Sequence, residues 1–328
     1  MHIFHILYFI FYISYLFFHY LCRMKLITPV EIPSLKHPIS LHNRVALIGS
    51  CFAEKIGAKM RQSGLPALVN PFGVLYNPLS ILQVLTANPM SDDLYFCDED
   101  DRWHCWLTDS HANASTLEAC RAAVLSARGK LVEWNPTTII ITLGTNHYYK
   151  RAGSLVVGNC HKRPQAEFTE CAMTVSECVE TLETLCSLFS RAQVIFTVSP
   201  YRYAKYGFHE SRLSKAVLLL AVDEIQRRHP EQVAYFPAYE IVLDELRDYR
   251  FYDPDLLHPS EQAIDYIWER FVDQCIDHET SRYLYDFEPI RKALQHRPED
   301  PSSPAALRFH EQTQERLREL MAKYQIEL

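Results

Sequence analysis

The pattern opens on an unbroken apolar run, Val45-Ala46-Leu47-Ile48, entered through Arg44 and stopped at Gly49. A short apolar run ended by glycine reads as a buried strand. Residues 52–62 then read as a helix, with Ser50 and Cys51 on the turn between. The same strand–helix rhythm continues down the chain. Residues 67–69 and 193–198 predict strands, as do 137–143, a β-branched run that ends at Gly144, and 233–236. Helices are predicted over 78–86, 116–132, 168–189, 213–228, 239–246 and 260–277. In the 116–132 segment Leu117, Cys120, Val124, Leu125 and Leu131 recur at helical spacing. The aromatic stretch 90–111 predicts a β-hairpin or insertion, its rings either lining a sugar-binding face or, preferably, forming a small satellite core. Residues 150–168 predict a loop or hairpin. No internal repeat is present.

Helices between successive strands predict a parallel sheet. Right-handed crossovers then leave a three-layer α/β/α sandwich with a five-stranded parallel sheet as the simplest arrangement. Residues 24–296 form its expected body. Residues 297–328 are a Pro- and Ser-rich linker followed by a charged amphipathic helix over 305–324, which docks on the body or on a partner. Residues 1–23 stand apart. The first twenty-two are almost wholly apolar and long enough to span a bilayer, with Arg23 and Lys25 after them. No charge precedes the run and no small-residue cleavage site ends it, which is unlike a secretory signal. Two readings stay open: an N-terminal anchor with the body on the cytoplasmic side, or translation from Met24, which is preferred and makes the protein cytoplasmic.

Composition changes this picture little. Of 328 residues, 48% are hydrophobic and 22% charged, an ordinary globular balance. The net charge of -7 argues against nucleic acid as a partner. The ten cysteines show no paired spacing, so no metal site is expected, and Cys171, Cys178, Cys186 and Cys275 read as buried free thiols. No G-x-G-x-x-G or P-loop follows a strand, so no nucleotide cofactor is called for. Oligomeric state is left open.

The chemistry concentrates at the ends of the strands, where open α/β sheets place ligands. Ser50 is the candidate nucleophile, at a helix N-terminus whose N–H groups suit developing negative charge. The alternative is that it only caps the helix. A serine needs a base, and a histidine base needs a carboxylate to hold its tautomer. Asp255-Leu256-Leu257-His258 offers both, three residues apart and bracketed by Pro254 and Pro259. The alternative there is a surface loop. Thr145, Asn146 and His147 follow the 137–143 strand to the same edge. Arg202, in Ser199-Pro200-Tyr201-Arg202-Tyr203, is a candidate for a substrate carboxylate or phosphate, or equally for a structural ion pair. Donors available to an oxyanion are the Ser50 and Gly73 backbone N–H groups and the Asn146 carboxamide.

Gly49-Ser50-Cys51-Phe52-Ala53 resembles the signature of the GSCFA family, a branch of the SGNH (GDSL-like) hydrolases. The resemblance extends through Asn70-Pro71-Phe72-Gly73, Leu143-Gly144-Thr145, Asn159-Cys160-His161-Lys162 and Asp255-Leu256-Leu257-His258-Pro259-Ser260, from Met24 to about residue 300. It implies a flavodoxin-like strand order and a triad of Ser50, His258 and Asp255. It also implies an oxyanion hole of Ser50, Gly73 and Asn146, with Asn159 as rival because the family does not always keep the asparagine. His161 and His147 are then substrate-side residues, His147 with a bystander alternative. The chain departs from the superfamily in lacking Gly-Asp-Ser at its first block. The implied function is a serine esterase acting on O-acyl, in particular O-acetyl, esters, on a carbohydrate or other small ester substrate. The alternatives are an O-acyltransferase using the same acyl-serine, a cysteine nucleophile at Cys51, or a catalytically silent carbohydrate-binding module.

Overall fold

The computed structural model describes residues 27–151 and 153–326, so the apolar stretch at 1–22 and the Met24 start lie outside the described residues. Among the described residues no helix is long and apolar enough to cross a membrane.

In chain order the elements are β1 (Val45–Gly49), α1 (Cys51–Gln62), β2 (Ala67–Val69), α2 (Pro78–Thr86), β3 (Tyr95–Cys97), β4 (Trp103–Cys105), α3 (Leu117–Trp134) and β5 (Thr138–Leu143). They continue through β6 (His147–Arg151), β7 (Leu155–Val157), β8 (Phe168–Ala172), α4 (Val175–Leu188), β9 (Gln193–Val198), α5 (Gly207–Arg228) and β10 (Val233–Tyr235). The last helices are α6 (Glu261–Cys275), α7 (His278–Gln295) and α8 (Pro304–Lys323). The central sheet is parallel, in the order β10-β9-β5-β1-β2. Numbered by chain order within that sheet this is 2-1-3-4-5, the flavodoxin-like order. A β3–β4 hairpin and an antiparallel β7-β6-β8 sheet stand apart from it.

Successive strand residues point to opposite faces, and both faces are covered. Ala46, Ile48, Ile139, Ile141, Val194 and Phe196 pack under α2, α3, α4 and α5. Val45, Leu47, Ile140 and Ile195 pack under α1, α6, α7 and α8. That double burial is why the strands read as continuous apolar runs rather than alternating ones. The described cysteines are all free; Cys178, Cys186 and Cys275 are buried and Cys171 is half-buried.

Two features fix the edge where the parallel strands end. Gly49 lies so close to β5 that a Cβ would sit 2.2 Å from the Thr142 carbonyl oxygen, and its φ is +141°. Only glycine fits there. Beyond it, Ser50 N–H extends the ladder to Thr142 O at 3.1 Å. The second feature is Lys215. It rides the apolar stripe of α5 with Leu218, Val222 and Ile225 and is 1% exposed. Its Nζ donates to Gly144 O and to Ser199 O, both at 2.6 Å, so one amine joins the ends of β5 and β9.

The expectations need three corrections. The helix predicted over 168–189 is two elements: β8 pairs antiparallel with β6, and the helix starts at Val175 behind a Thr174–Glu177 capping box. No element was expected over residues 278–295, which form α7, with Tyr283, Phe287 and Ile290 buried at helical spacing. Pro289 lies in its interior, and the carbonyl it leaves without a donor belongs to Tyr285, which is 83% exposed. The helix predicted over 239–246 is one turn, Ala238–Glu240, widening into a π-turn over Ile241–Glu245. α5 begins at Gly207, ahead of the expected 213. The terminal helix α8 docks on the body, with Leu320 and Tyr324 buried and Lys323 and Tyr324 both bonded to Asp286.

Gly49→Ala forces the β1–β5 backbones apart and should destabilise the fold by roughly 3 kcal/mol or more, summing overpacking and backbone strain. Urea denaturation checks this, and an unchanged midpoint would contradict the close approach. Burial pushes the Lys215 amine down to about 7, against roughly 10.4 for a lysine in an unfolded chain. Between those values the unfolded chain carries a proton that the folded chain does not, so this contribution makes stability rise with pH. Lys215→Met removes it. From about pH 7 to 9.5 the unfolding free energy of the natural protein should gain on that of the variant, whereas parallel pH profiles would show that the amine stays charged.

Candidate active site

The parallel strands deliver Ser50 and Cys51, Asn70, Gly144 to Asn146, and Ser199 to Tyr203 to a single edge. Ser50 caps α1: its Oγ accepts the Phe52 N–H at 3.4 Å, and the residue is 1% exposed. The expected capping therefore holds alongside any other role. Cys51 enters a small cavity of about 60 Å³ whose wall includes Ser199, Tyr201, Asp253 and His258. Burial, then the nearby Glu54 carboxylate, pushes the Cys51 thiol up, so it stays protonated.

Asp255 and His258 come together as the spacing suggests. His258 Nδ1 lies 2.5 Å from Asp255 Oδ2, while the Leu257 and His258 N–H groups donate to Asp255 Oδ1 at 2.9 and 3.0 Å. The imidazole contact, followed by these two backbone donors, holds the Asp255 carboxyl down at about 2. With Nδ1–H turned to the carboxylate, Nε2 is left to act as a base. The His258 ring packs at 4.3 Å on Tyr201, which meets Tyr203 edge-on at 4.7 Å. No hydrogen bond joins His258 to Ser50 among the described residues; His258 and Cys51, the residue after Ser50, line the same cavity.

Of the three expected oxyanion donors, the two backbone N–H groups are engaged and the Asn146 carboxamide uses one of its two hydrogens. Ser50 N–H goes to Thr142 O, because the parallel ladder runs one residue past Gly49. Gly73 N–H closes a turn onto Asn70 O at 2.9 Å, and the Asp109 carboxylate occupies the space where a Gly73 Cβ would be. Asn146 Nδ2 donates to Met173 O at 2.7 Å and ties β6 to the start of α4. The rival Asn159 uses its Oδ1 to accept the His161 N–H at 2.7 Å.

The edge does contain free donors that sequence reasoning missed. Asn70 ends β2 with φ +39°, and its Oδ1 takes the Gly49 N–H at 2.9 Å, leaving Nδ2 buried and unpartnered beside the Ser50 turn. The Tyr203 hydroxyl is likewise buried and unpartnered, 2.5 Å from where a Gly144 Cβ would stand. Burial raises that phenol well above its usual value, so it remains a donor. Lys215 Nζ lies 5.1 Å from the Tyr203 ring centre. Lys215 was visible in the sequence as a lysine on an apolar helical stripe; Asn70 and Tyr203 gave no comparable signal.

The remaining candidates lie elsewhere. His161 Nε2 sits 2.9 Å from Cys105 O, and its ring packs among Phe96, His104 and Trp106. Burial lowers its pKa and keeps it neutral. Those contacts make it part of the satellite core on the β3–β4 hairpin. His147 stacks on Tyr206 at 4.2 Å and approaches Glu170 at 3.2 Å. Arg202 forms no ion pair among the described residues: its Nη1 donates to Leu256 O at 3.0 Å and its N–H to Leu257 O at 3.1 Å, so it braces the loop between Asp255 and His258. Leu256 in that loop has φ +58°, a conformation leucine rarely holds without such bracing. No group of residues able to hold a metal occurs among the described residues.

No curated protein sequence matches the chain. Solved structures give loose similarities. A family 3 carbohydrate esterase of Clostridium thermocellum matches at 9% identity and a TM-score of 0.35, over 79% of this chain and 100% of that one. A family two carbohydrate esterase from Clostridium thermocellum, in complex with cellohexaose, matches at 14% identity and a TM-score of 0.37, over 73% and 65%. An acetyl xylan esterase from the rumen bacterium Butyrivibrio proteoclasticus matches at 14% and 0.36, over 75% and 64%. The chain thus spans less than two thirds of the latter two, and similarities of this size assign neither substrate nor catalytic residues. Family models are decisive where these are not: the model of the GSCFA family matches residues 44–271, and that of the GSCFA domain protein, C-terminal domain, matches 287–327. The first alone spans more than half of the sequence, and the chain belongs to the GSCFA family.

Proposed function

We propose that the protein is a serine esterase that cleaves O-acyl esters through Ser50, His258 and Asp255. The observation that carries this reading is the Asp255-held imidazole of His258, set on the wall of the cavity that Cys51, the residue after Ser50, also lines. In this reading Nε2 of His258 takes the proton from Ser50 Oγ as the oxygen attacks the ester carbonyl. The tetrahedral oxyanion collapses, and the alcohol leaves with the proton returned by His258. Water, deprotonated by the same nitrogen, then frees the acid and restores Ser50. Catalytic contacts are often loose in an unliganded enzyme and close in the complex, so Ser50 Oγ moves from its capping bond toward Nε2 when an ester is bound.

The oxyanion needs donors, each of which is worth about 2.7–4 kcal/mol in such sites. The unpartnered Asn70 Nδ2 and Tyr203 hydroxyl take that role in this account. Lys215, with no carboxylate partner among the described residues, adds a positive charge only below about pH 7, where its buried amine is protonated. The substrate class follows the family resemblance: acetyl groups esterified to sugar hydroxyls, tested first with small acetate esters. A second reading puts Cys51 in place of Ser50, favoured by its position on the cavity wall and opposed by its protonated state.

Hydrolysis of 4-nitrophenyl acetate and of acetylated sugars by the purified protein tests the assignment. Ser50→Ala and His258→Ala should each lower kcat/KM by about a hundredfold or more, with Cys51→Ala within a few-fold of the natural protein. An active Ser50→Ala with an inactive Cys51→Ala would transfer the role to the thiol, and activity in all three would end the proposal. Tyr203→Phe and Asn70→Ala should lower kcat by about 10²-fold each with little change in KM; unchanged kcat in both would mean that the oxyanion is held by other groups.

A further inference from the structure

Beside the loop that carries Asp255 and His258 lies a hollow of about 240 Å³ whose wall includes Arg202, Arg212, Arg247, Asp248, Tyr249 and Tyr252. Three guanidiniums around one cavity are unexpected in a chain with 40 acidic and 33 basic side chains. None of the three forms an ion pair with a carboxylate among the described residues. Asp248, on the same wall, forms no ion pair with them: its Oδ1 accepts the Arg250 N–H at 2.9 Å and faces the Arg250 side chain at 3.9 Å. Arg202 is held rigidly, 4.2 Å from the Phe208 ring centre and 5.3 and 5.7 Å from those of Tyr252 and Tyr249. Burial raises the Tyr252 phenol, so it remains a donor.

Guanidiniums present planar forks of N–H donors matched to the oxygens of phosphate, sulfate and carboxylate groups. Gathered without partners they also repel one another, a cost that a bound anion removes. We propose that this hollow is an oxyanion-binding site, taking a phosphate, sulfate or carboxylate group between Arg202, Arg212 and Arg247. Its position gives it a consequence. Arg202 also holds the Leu256 and Leu257 carbonyls, which lie between the proposed catalytic Asp255 and His258. An anion gripped by Arg202 stiffens that loop. The coupling rests on the esterase reading; the binding does not.

Titration calorimetry of inorganic phosphate and of sulfate into the full chain, at low ionic strength, tests the site. One saturable site per chain is expected, weakened at least tenfold in the double variant Arg212→Gln/Arg247→Gln. Both residues are exposed, and circular dichroism checks that the variant is folded. Absence of saturable binding, or binding indifferent to the double substitution, overturns the proposal. The source of the anion is read from a pair of acetate esters that differ only by a sulfate on the alcohol. If the variant raises KM more for the sulfated ester than for its neutral parent, the anion belongs to the substrate. If phosphate binding is lost with the KM ratio unchanged, the site takes a free oxyanion. The titration uses no catalysis, so a failure of the Ser50 assignment and a failure of this site are seen separately.

Discussion

The close approach of β1 to β5 at Gly49 is the constraint on which the rest depends. With no Cβ at Gly49 the two backbones run together until the Ser50 N–H reaches Thr142 O. That extra bond sets where the turn begins and so where Ser50 caps α1. It also removes the Ser50 N–H from the donors an oxyanion could use. In the proposed mechanism, anion stabilisation then falls to other groups at the same edge. Asn70 is linked to this directly, because its Oδ1 takes the Gly49 N–H and its Nδ2 is left free by the same bond.

Lys215 is the electrostatic counterpart. A fully buried amine is costly unless its hydrogens are bonded, and here two strand-end carbonyls do this at 2.6 Å. The bonds pull Gly144 and Ser199 together, and with them the segments that carry Asn146 and Tyr203. A buried amine charged only below about pH 7, a neutral thiol beside it and phenols held in their donor form make an environment suited to transient negative charge. The Asp255–His258 pair sits at its rim, braced from outside by Arg202.

Much of this was legible in the sequence. β9 and α2 have the predicted ends, because a β-branched run closed by Ser-Pro, and a proline at a helix's first turn, leave little choice. The family signature falls on the turn between β1 and α1, and the D-x-x-H spacing does bring Asp255 to His258. What was not legible is partnership. Ser50, Gly73 and Asn146 are donors by type, but whether each N–H is free depends on Thr142, Asn70 and Met173. Those acceptors come into reach through the register of β1 on β5, through a turn and through the β6–β8 sheet respectively. The same holds for Arg202, whose acceptors lie more than fifty residues away. The one-piece helix over 168–189 failed for another reason. Thr174-x-x-Glu177 is a helix start visible in the sequence, and it was outweighed by the apolar residues that β8 contributes to a separate sheet.

The central claim is that Ser50 is activated by His258. Intact-mass and peptide-mass analysis after incubation with a fluorophosphonate, which phosphonylates activated serines, tests it most directly. The account predicts one adduct per chain, located on Ser50 and lost in His258→Ala. A folded protein that takes no adduct, or takes it at another residue, would contradict the account.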